Sequence, residues 1–289
     1  MQSQINNVRI LQFADDTKVF SAVQSVNDIN QLQENLDLLS RWFENWRMSV
    51  NVKKCGILTF FTKNVNISYN LFGSKLNVSK SERDLGVIIN ESLSFKEHIL
   101  TICNKAMRMY GWLTRTLATD DTKVIIRLYK ALIRPILEYA STVWSPTRVG
   151  LIIKLESVQR KVTKFAFCRS SVLDYSERLR VSTLPSLMWR RLFLDLLMVH
   201  RILHGDIKIR KELFHLSTEV SSSNLRRHRL SIYKALFTCD IYKHHFVNRI
   251  VDEWNSLPHE VLDVENFVAF KKRLKIYLMT SKSPYAWKY

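Results

Sequence analysis

The chain has 289 residues, is 46% hydrophobic with seven Trp, and carries a formal net charge of +18 at pH 7. That length and apolar content exclude a disordered chain and allow one or two domains with real cores. Six Gly, with no G-x-G-x-x-G and no P-loop, exclude glycine-rich phosphate loops and favour helix.

In chain order, residues 8–13 and 17–22 read as two short strands joined through Ala14-Asp15-Asp16. Asp28 then caps a long amphipathic helix whose apolar positions Ile29, Leu32, Leu36, Leu39, Phe43 and Trp46 keep the three-and-four spacing of a buried stripe. The segment 54–61 is apolar and β-prone, and short alternating pieces at 65–69, 75–78 and 84–89 predict an antiparallel meander. After residue 90 the pattern is helical, with helices expected near 95–117, 122–139, 149–167, 187–203, 246–256 and 267–278. Thr119-Asp120-Asp121 opens the second of these, and Pro135 is expected to kink it. Residues 217–224 are polar and Ser-rich and read as a loop. The pattern is α+β: a strand-rich part at 1–90, then helical parts at 91–170 and 171–289.

Charge follows the same division. Residues 1–90 carry a net +2 and the remainder +16. A field of that size attracts polyanions, nucleic acid first and an anionic membrane surface second. On the helix expected at 149–167, Leu151, Ile152, Leu155, Val158, Val162 and Phe165 share one arc, while Lys154, Arg160, Lys161 and Lys164 fall opposite. One face packs and the other can follow a phosphate backbone, or simply be solvated. Cys55, Cys103, Cys168 and Cys239 are widely spaced with no C-x-x-C pair, which argues against a zinc ribbon or a disulfide framework and for a reduced, intracellular protein. The polar start shows no signal peptide, and the longest apolar runs, such as 192–199, are too short to span a membrane. His200 and His204 are four apart on a helix, but no third ligand accompanies them, nor the pair His244-His245.

Leu11-Gln-Phe-Ala-Asp-Asp16 places two adjacent carboxylates at a hairpin tip. Paired acids suit hard divalent cations such as Mg²⁺, which take oxygen ligands. Asp in a turn also commonly just hydrogen-bonds the local backbone.

This block and those after it resemble the reverse transcriptases of non-LTR (LINE-type, jockey-like) retrotransposons. Trp42 through Asn51-Val-Lys-Lys54-Cys55 is similar to the family's next block. Asp84-Leu-Gly-Val87, Leu93-Ser-Phe95 and His98-Ile99 resemble the block leading into the thumb. Arg134-Pro-Ile-Leu-Glu-Tyr139, Val143-Trp144-Ser-Pro146, Leu155-Glu-x-Val-Gln-Arg160, Tyr175-x-x-Arg178-Leu179, Leu187-x-x-Arg190-Arg191 and Asp195-Leu196 follow in order. Trp254-Asn-Ser-Leu-Pro258 and Phe270-Lys271-x-x-Leu274 resemble the family's ending, so the likeness runs over residues 8–278.

The resemblance implies a partial palm at 1–90, a helical thumb at 91–170 and a basic helical extension at 171–289. It implies RNA-directed DNA polymerase activity by two-metal nucleotidyl transfer, with Mg²⁺ as cofactor and an RNA template and DNA primer, or their RNA–DNA hybrid, as partners. Asp15 would be the metal-ligating residue with Asp16 beside it. Lys54 would lie near the triphosphate, and Leu85-Gly86 would form the hairpin gripping the primer. It also implies that the fingers and the palm block supplying the other essential Asp precede residue 1, so these residues alone are not expected to extend a primer. Two other readings stand beside it: a helical RNA- or DNA-binding module without catalysis, and a decayed retrotransposon open reading frame. A cytoplasmic or nuclear location, with no secretion and no membrane, is expected on any of the three.

Overall fold

A computed structural model describes residues 8–60, 68–167, 172–207, 214–220, 228–234 and 245–282. The fold is α+β and divides into two units, Met1–Ser94 and Phe95–Tyr289.

In the first unit, β1 (Arg9–Phe13) and β2 (Asp16–Phe20) form an antiparallel hairpin with Phe13 opposite Asp16. The two-residue connection Ala14-Asp15 turns tightly because Ala14 adopts a left-handed φ of 52°. Asp16 therefore belongs to the strand rather than to the turn. Helix α1 (Val26–Asn45) is capped by Ser25, not by Asp28 as the sequence predicts. Ser25 Oγ accepts the Asp28 N–H at 3.3 Å, and the Asp28 carboxylate accepts the Ser25 N–H at 2.8 Å, a reciprocal capping box. Leu36, Leu39 and Phe43 are buried as the stripe requires, but Trp46 lies past the last turn and is 67% exposed.

A 3₁₀ turn (Val52–Lys54) leads to β3 (Gly56–Leu58), followed by β4 (Asn70–Leu71), β5 (Ser74–Lys75), β6 (Asn77–Ser79), β7 (Ser81–Asp84) and β8 (Val87–Asn90). These are not one antiparallel meander: they form separate two-stranded pairs, and β3 pairs in parallel with β6. The β4–β5 hairpin takes up the return of the chain, so β6 arrives in the same direction as β3. The strand expected at 65–69 lies mostly outside the described residues. The piece expected at 84–89 is broken by a turn, with Leu85 at φ 44° and Gly86 at φ 86° between β7 and β8. Leu36, Tyr69, Leu71 and Leu76 form a small core, against which Val19, Ile29 and Leu32 pack.

The second unit is helical: α2 (Lys96–Thr116), α3 (Thr122–Leu128), a π turn (Tyr129–Ile133), α4 (Arg134–Glu138), α5 (Ser141–Trp144) and α6 (Val149–Ala166). Asp121 caps α3 by accepting the Lys123 N–H at 2.8 Å. Pro135 has no N–H to give to the preceding turn, and the π turn just before it absorbs the misfit without ending the helix. Then come α7 (Tyr175–Val181), α8 (Leu187–Leu203), α9 (Ser217–Val220), α10 (Phe246–Asn255), α11 (His259–Leu262) and α12 (Phe267–Ser281). The segment expected as a loop at 217–224 begins with the turn of α9, with Ser217 buried; its later residues lie outside the description. Phe193, Leu196, Trp254, Phe270 and Leu274 centre a core between α8, α10 and α12. No helix among the described residues is long and apolar enough to cross a membrane.

Candidate functional site

The β1–β2 hairpin presents its acids openly. Asp15 and Asp16 are exposed, and neither carboxylate has a hydrogen bond or ion pair among the described residues. Turn-stabilising backbone bonds, the ordinary reason for Asp in such a place, are thus not what these side chains make. Strand alternation puts Asp16 on the face of Leu11 and Phe13, which are 56% and 63% exposed. The opposite face, through Val19, packs onto the small core.

Magnesium takes six oxygens in near-octahedral array. Asp84 is ion-paired to Lys18 of β2. Among the described residues no third carboxylate, His or Cys comes within ligand spacing of Asp15 and Asp16. The pair by itself does not make a closed magnesium site.

Lys54 ends the 3₁₀ turn with its side chain exposed, beside the half-buried Cys55. Burial pushes the Cys55 thiol up, which keeps it protonated and unreactive. Leu85 and Gly86 form an exposed left-handed tip, costly for Leu because its Cβ crowds the following carbonyl.

On α6, Lys154, Lys161 and Lys164 are exposed, and none has an ion-pair partner among the described residues. Leu155, Val158 and Val162 are buried on the other side. Arg160 departs from the lysines: it is half-buried, with its guanidinium 4.8 Å from the Tyr175 ring centre.

Several residues of the motif blocks hold the interior together. Glu156, fully buried on α6, accepts the Tyr175 hydroxyl at 2.6 Å and the Leu187 N–H at 3.0 Å. Gln159 accepts the Tyr129 hydroxyl at 2.5 Å and donates to the Pro185 carbonyl at 3.1 Å. Arg190 grips Glu138 with both guanidinium arms, one at 2.7 Å. Arg249 pairs with Asp195 at 2.9 Å and donates to the Thr142 carbonyl at 2.8 Å. Burial pushes Glu156 up to about 7 and Asp195 up to about 6, with Tyr175 and Arg249 respectively holding them from rising further. Burial also pulls Arg191 down to about 10, with Glu156 and Asp195 opposing. Glu156 and Gln159 lie four residues after the buried Ile152 and Leu155, on the packed side of α6, where distant partners satisfy their polar groups.

Of the histidines, His200 is buried, bonds the Val264 carbonyl at 2.8 Å and stacks on Phe270 at 4.0 Å between ring centres. His244 lies outside the described residues. The one group of potential metal ligands among the described residues is His228, His259 and Asp263, a set the sequence reading missed although the i, i+4 spacing of His259 and Asp263 was visible in it. Its geometry is that of a hydrogen-bonded pair. His228 Nδ1 accepts the Leu230 N–H at 3.0 Å, so its neutral ring carries the proton on Nε2 and donates it to Asp263 at 2.8 Å. Both ring nitrogens of His228 are hydrogen-bonded in this structure.

The candidate site is thus a hairpin with two exposed, unpaired acids, in a chain whose excess basic charge lies after residue 90. The chain is 27% identical over 164 residues to the RNA-directed DNA polymerase from mobile element jockey of Drosophila melanogaster. It is 29% identical over 164 residues to the corresponding polymerase of Drosophila funebris. These matches cover 55% and 54% of this chain but only 18% of either relative. An uncharacterized protein of Caenorhabditis elegans is 26% identical over 134 residues, 46% of this chain and 68% of that one. No family model matches, and no solved structure matches. The matched part of the chain is thus similar to a reverse-transcriptase region of a non-LTR retrotransposon.

Proposed function

We propose that the chain serves RNA-directed DNA synthesis as a template- and primer-contacting part of a reverse transcriptase, and that its 289 residues by themselves do not extend a primer. The observation that carries this is the Asp15-Asp16 tip, with two exposed carboxylates and no third ligand among the described residues, in a chain similar to the jockey polymerases. In this reading residues 1–90 derive from a palm, 91–170 from a thumb and 171–289 from a basic extension. Asp15 takes the role of the metal-ligating residue with Asp16 adjacent, Lys54 faces the triphosphate, and the Leu85-Gly86 tip meets the primer. Divalent metal in such polymerases activates the attacking hydroxyl and steadies the triphosphate; the two acids present here are too few to hold it in place.

Primer extension on an RNA template with Mg²⁺ tests the reading, with Asp15→Ala as the comparison. No synthesis is expected from either protein, and Asp15-dependent synthesis would overturn the claim that these residues are insufficient.

Binding to nucleic acid without catalysis is the second reading, favoured by the exposed lysines of α6. Affinity for an RNA–DNA hybrid is expected to fall steeply with salt. Replacing Lys154, Lys161 and Lys164 by Gln should reduce the slope of log affinity against log salt by about two to three. An unchanged slope would remove α6 from the interface.

A further inference from the structure

A cleft of about 550 Å³ opens between α3 and the end of α7. Its floor is closed where the Thr122 hydroxyl donates to the Ala166 carbonyl at 2.7 Å, joining the start of α3 to the end of α6. Lys123, Arg127 and Lys130 line one wall. Lys123 and Arg127 are four apart on α3, and Lys130 lies in the π turn that follows it. None has a carboxylate partner among the described residues. Phe167, just past α6, lines the opposite side, together with Ser182 and Thr183 after α7. The Phe167 ring has no aromatic or cationic partner among the described residues.

We propose that this cleft holds a short unpaired segment of nucleic acid, its phosphates against Lys123, Arg127 and Lys130 and a base against Phe167. The proposal rests on the nucleic-acid reading above and narrows it to single-stranded substrate at a place the sequence motifs do not mark.

Three features select this occupant. The cations are uncompensated: Lys123, Arg127 and Lys130 have no carboxylate in ion-pair distance among the described residues, so an anion in the cleft meets three unpaired positive charges. At the ends of α6 and α7 the Thr122 hydroxyl donates to the Ala166 carbonyl and the Ser182 hydroxyl to the Arg178 carbonyl, and three full positive charges outweigh the partial negative ones of the helix ends. Size decides between strand and duplex. A volume of this order suits about one or two nucleotides, and a duplex keeps its bases stacked inside, out of reach of Phe167. Phe167 ends the helix that carries Lys161 and Lys164, so phosphates following α6 arrive at the cleft within about one helical turn of Lys164.

Fluorescence anisotropy on the full chain, with labelled oligouridylate and separately with a blunt RNA–DNA hybrid, tests this. The combined Lys123→Gln, Arg127→Gln, Lys130→Gln variant is expected to bind oligouridylate about tenfold or more weakly, and Phe167→Leu about fivefold more weakly, with hybrid affinity unchanged within about twofold. Equal loss for both ligands, or loss for neither, overturns the cleft assignment and leaves the general nucleic-acid reading standing. A wild-type chain that binds neither ligand overturns both. Thermal melts separate lost contacts from lost fold. If the triple variant unfolds, Arg127→Gln alone, at an exposed position, carries the same comparison.

Discussion

The buried carboxylate of Glu156 accepts the backbone N–H of Leu187 at 3.0 Å across 31 residues of chain. Leu187 is the first residue of α8, so Glu156 supplies from another helix what a capping residue supplies locally: an acceptor for an orphan N–H, at the positive end of the helix dipole.

Burial holds Glu156 near 7 and Asp195 near 6, against about 4.3 and 3.9 for free carboxyls. Between about pH 4 and 7 the folded chain therefore keeps protons that the unfolded chain has released. Stability contributed by these groups is full below about pH 4 and is lost as pH rises through that window. Urea midpoints are expected to be higher near pH 5 than near pH 8, and Glu156→Gln should shrink the difference. A variant whose pH dependence matches wild type would show that Glu156 titrates elsewhere.

The half-buried Arg249 pairs with the buried Asp195 at 2.9 Å. Arg249→Met leaves a buried carboxylate without its cation, and Asp195→Ala leaves Arg249 without its anion. Each is expected to cost about 3–5 kcal/mol, and the double variant clearly less than the sum. Additive losses in a chemical-denaturation cycle would mean the two side chains act independently.

Leu85 sits at φ 44° and is 43% exposed, so little packing offsets its strain. Leu85→Gly should stabilise the β7–β8 hairpin by about 0.5–1 kcal/mol, read as slower amide hydrogen exchange in those strands. Faster exchange would show that the Leu side chain contributes more by packing than its backbone costs.

Because both ring nitrogens of His228 are engaged, dialysis against EDTA is expected to leave the melting temperature unchanged, and added zinc should not raise it. A rise that disappears in Asp263→Ala would establish a metal site there instead.

Where local physics decides, sequence and structure agree. The 187–203 helix runs over the residues its periodicity marks, and α6 buries Leu155, Val158 and Val162 while exposing Lys154, Lys161 and Lys164. The acidic hairpin is also legible, because its turn and strands lie within 12 residues, Arg9–Phe20. The small sheets were less so: the direction of β6 depends on the path of the β4–β5 hairpin before it, which alternation along β6 does not encode. The cleft at Lys123, Arg127 and Lys130 was not legible, since its far wall comes from residues after the third and fourth helices that follow α3.

By itself the sequence determined the order and type of the main elements, the position of Asp15 and Asp16, and the excess of positive charge after residue 90. The tertiary structure alone decided which of those charges remain available. Arg190 meets Glu138 across 52 residues and Arg249 meets Asp195 across 54, whereas Lys123, Arg127 and Lys130 meet no carboxylate among the described residues. Periodicity assigns a side chain to a face of its own helix. Whether that face then meets water, an acid or a void is set by which distant element packs against it.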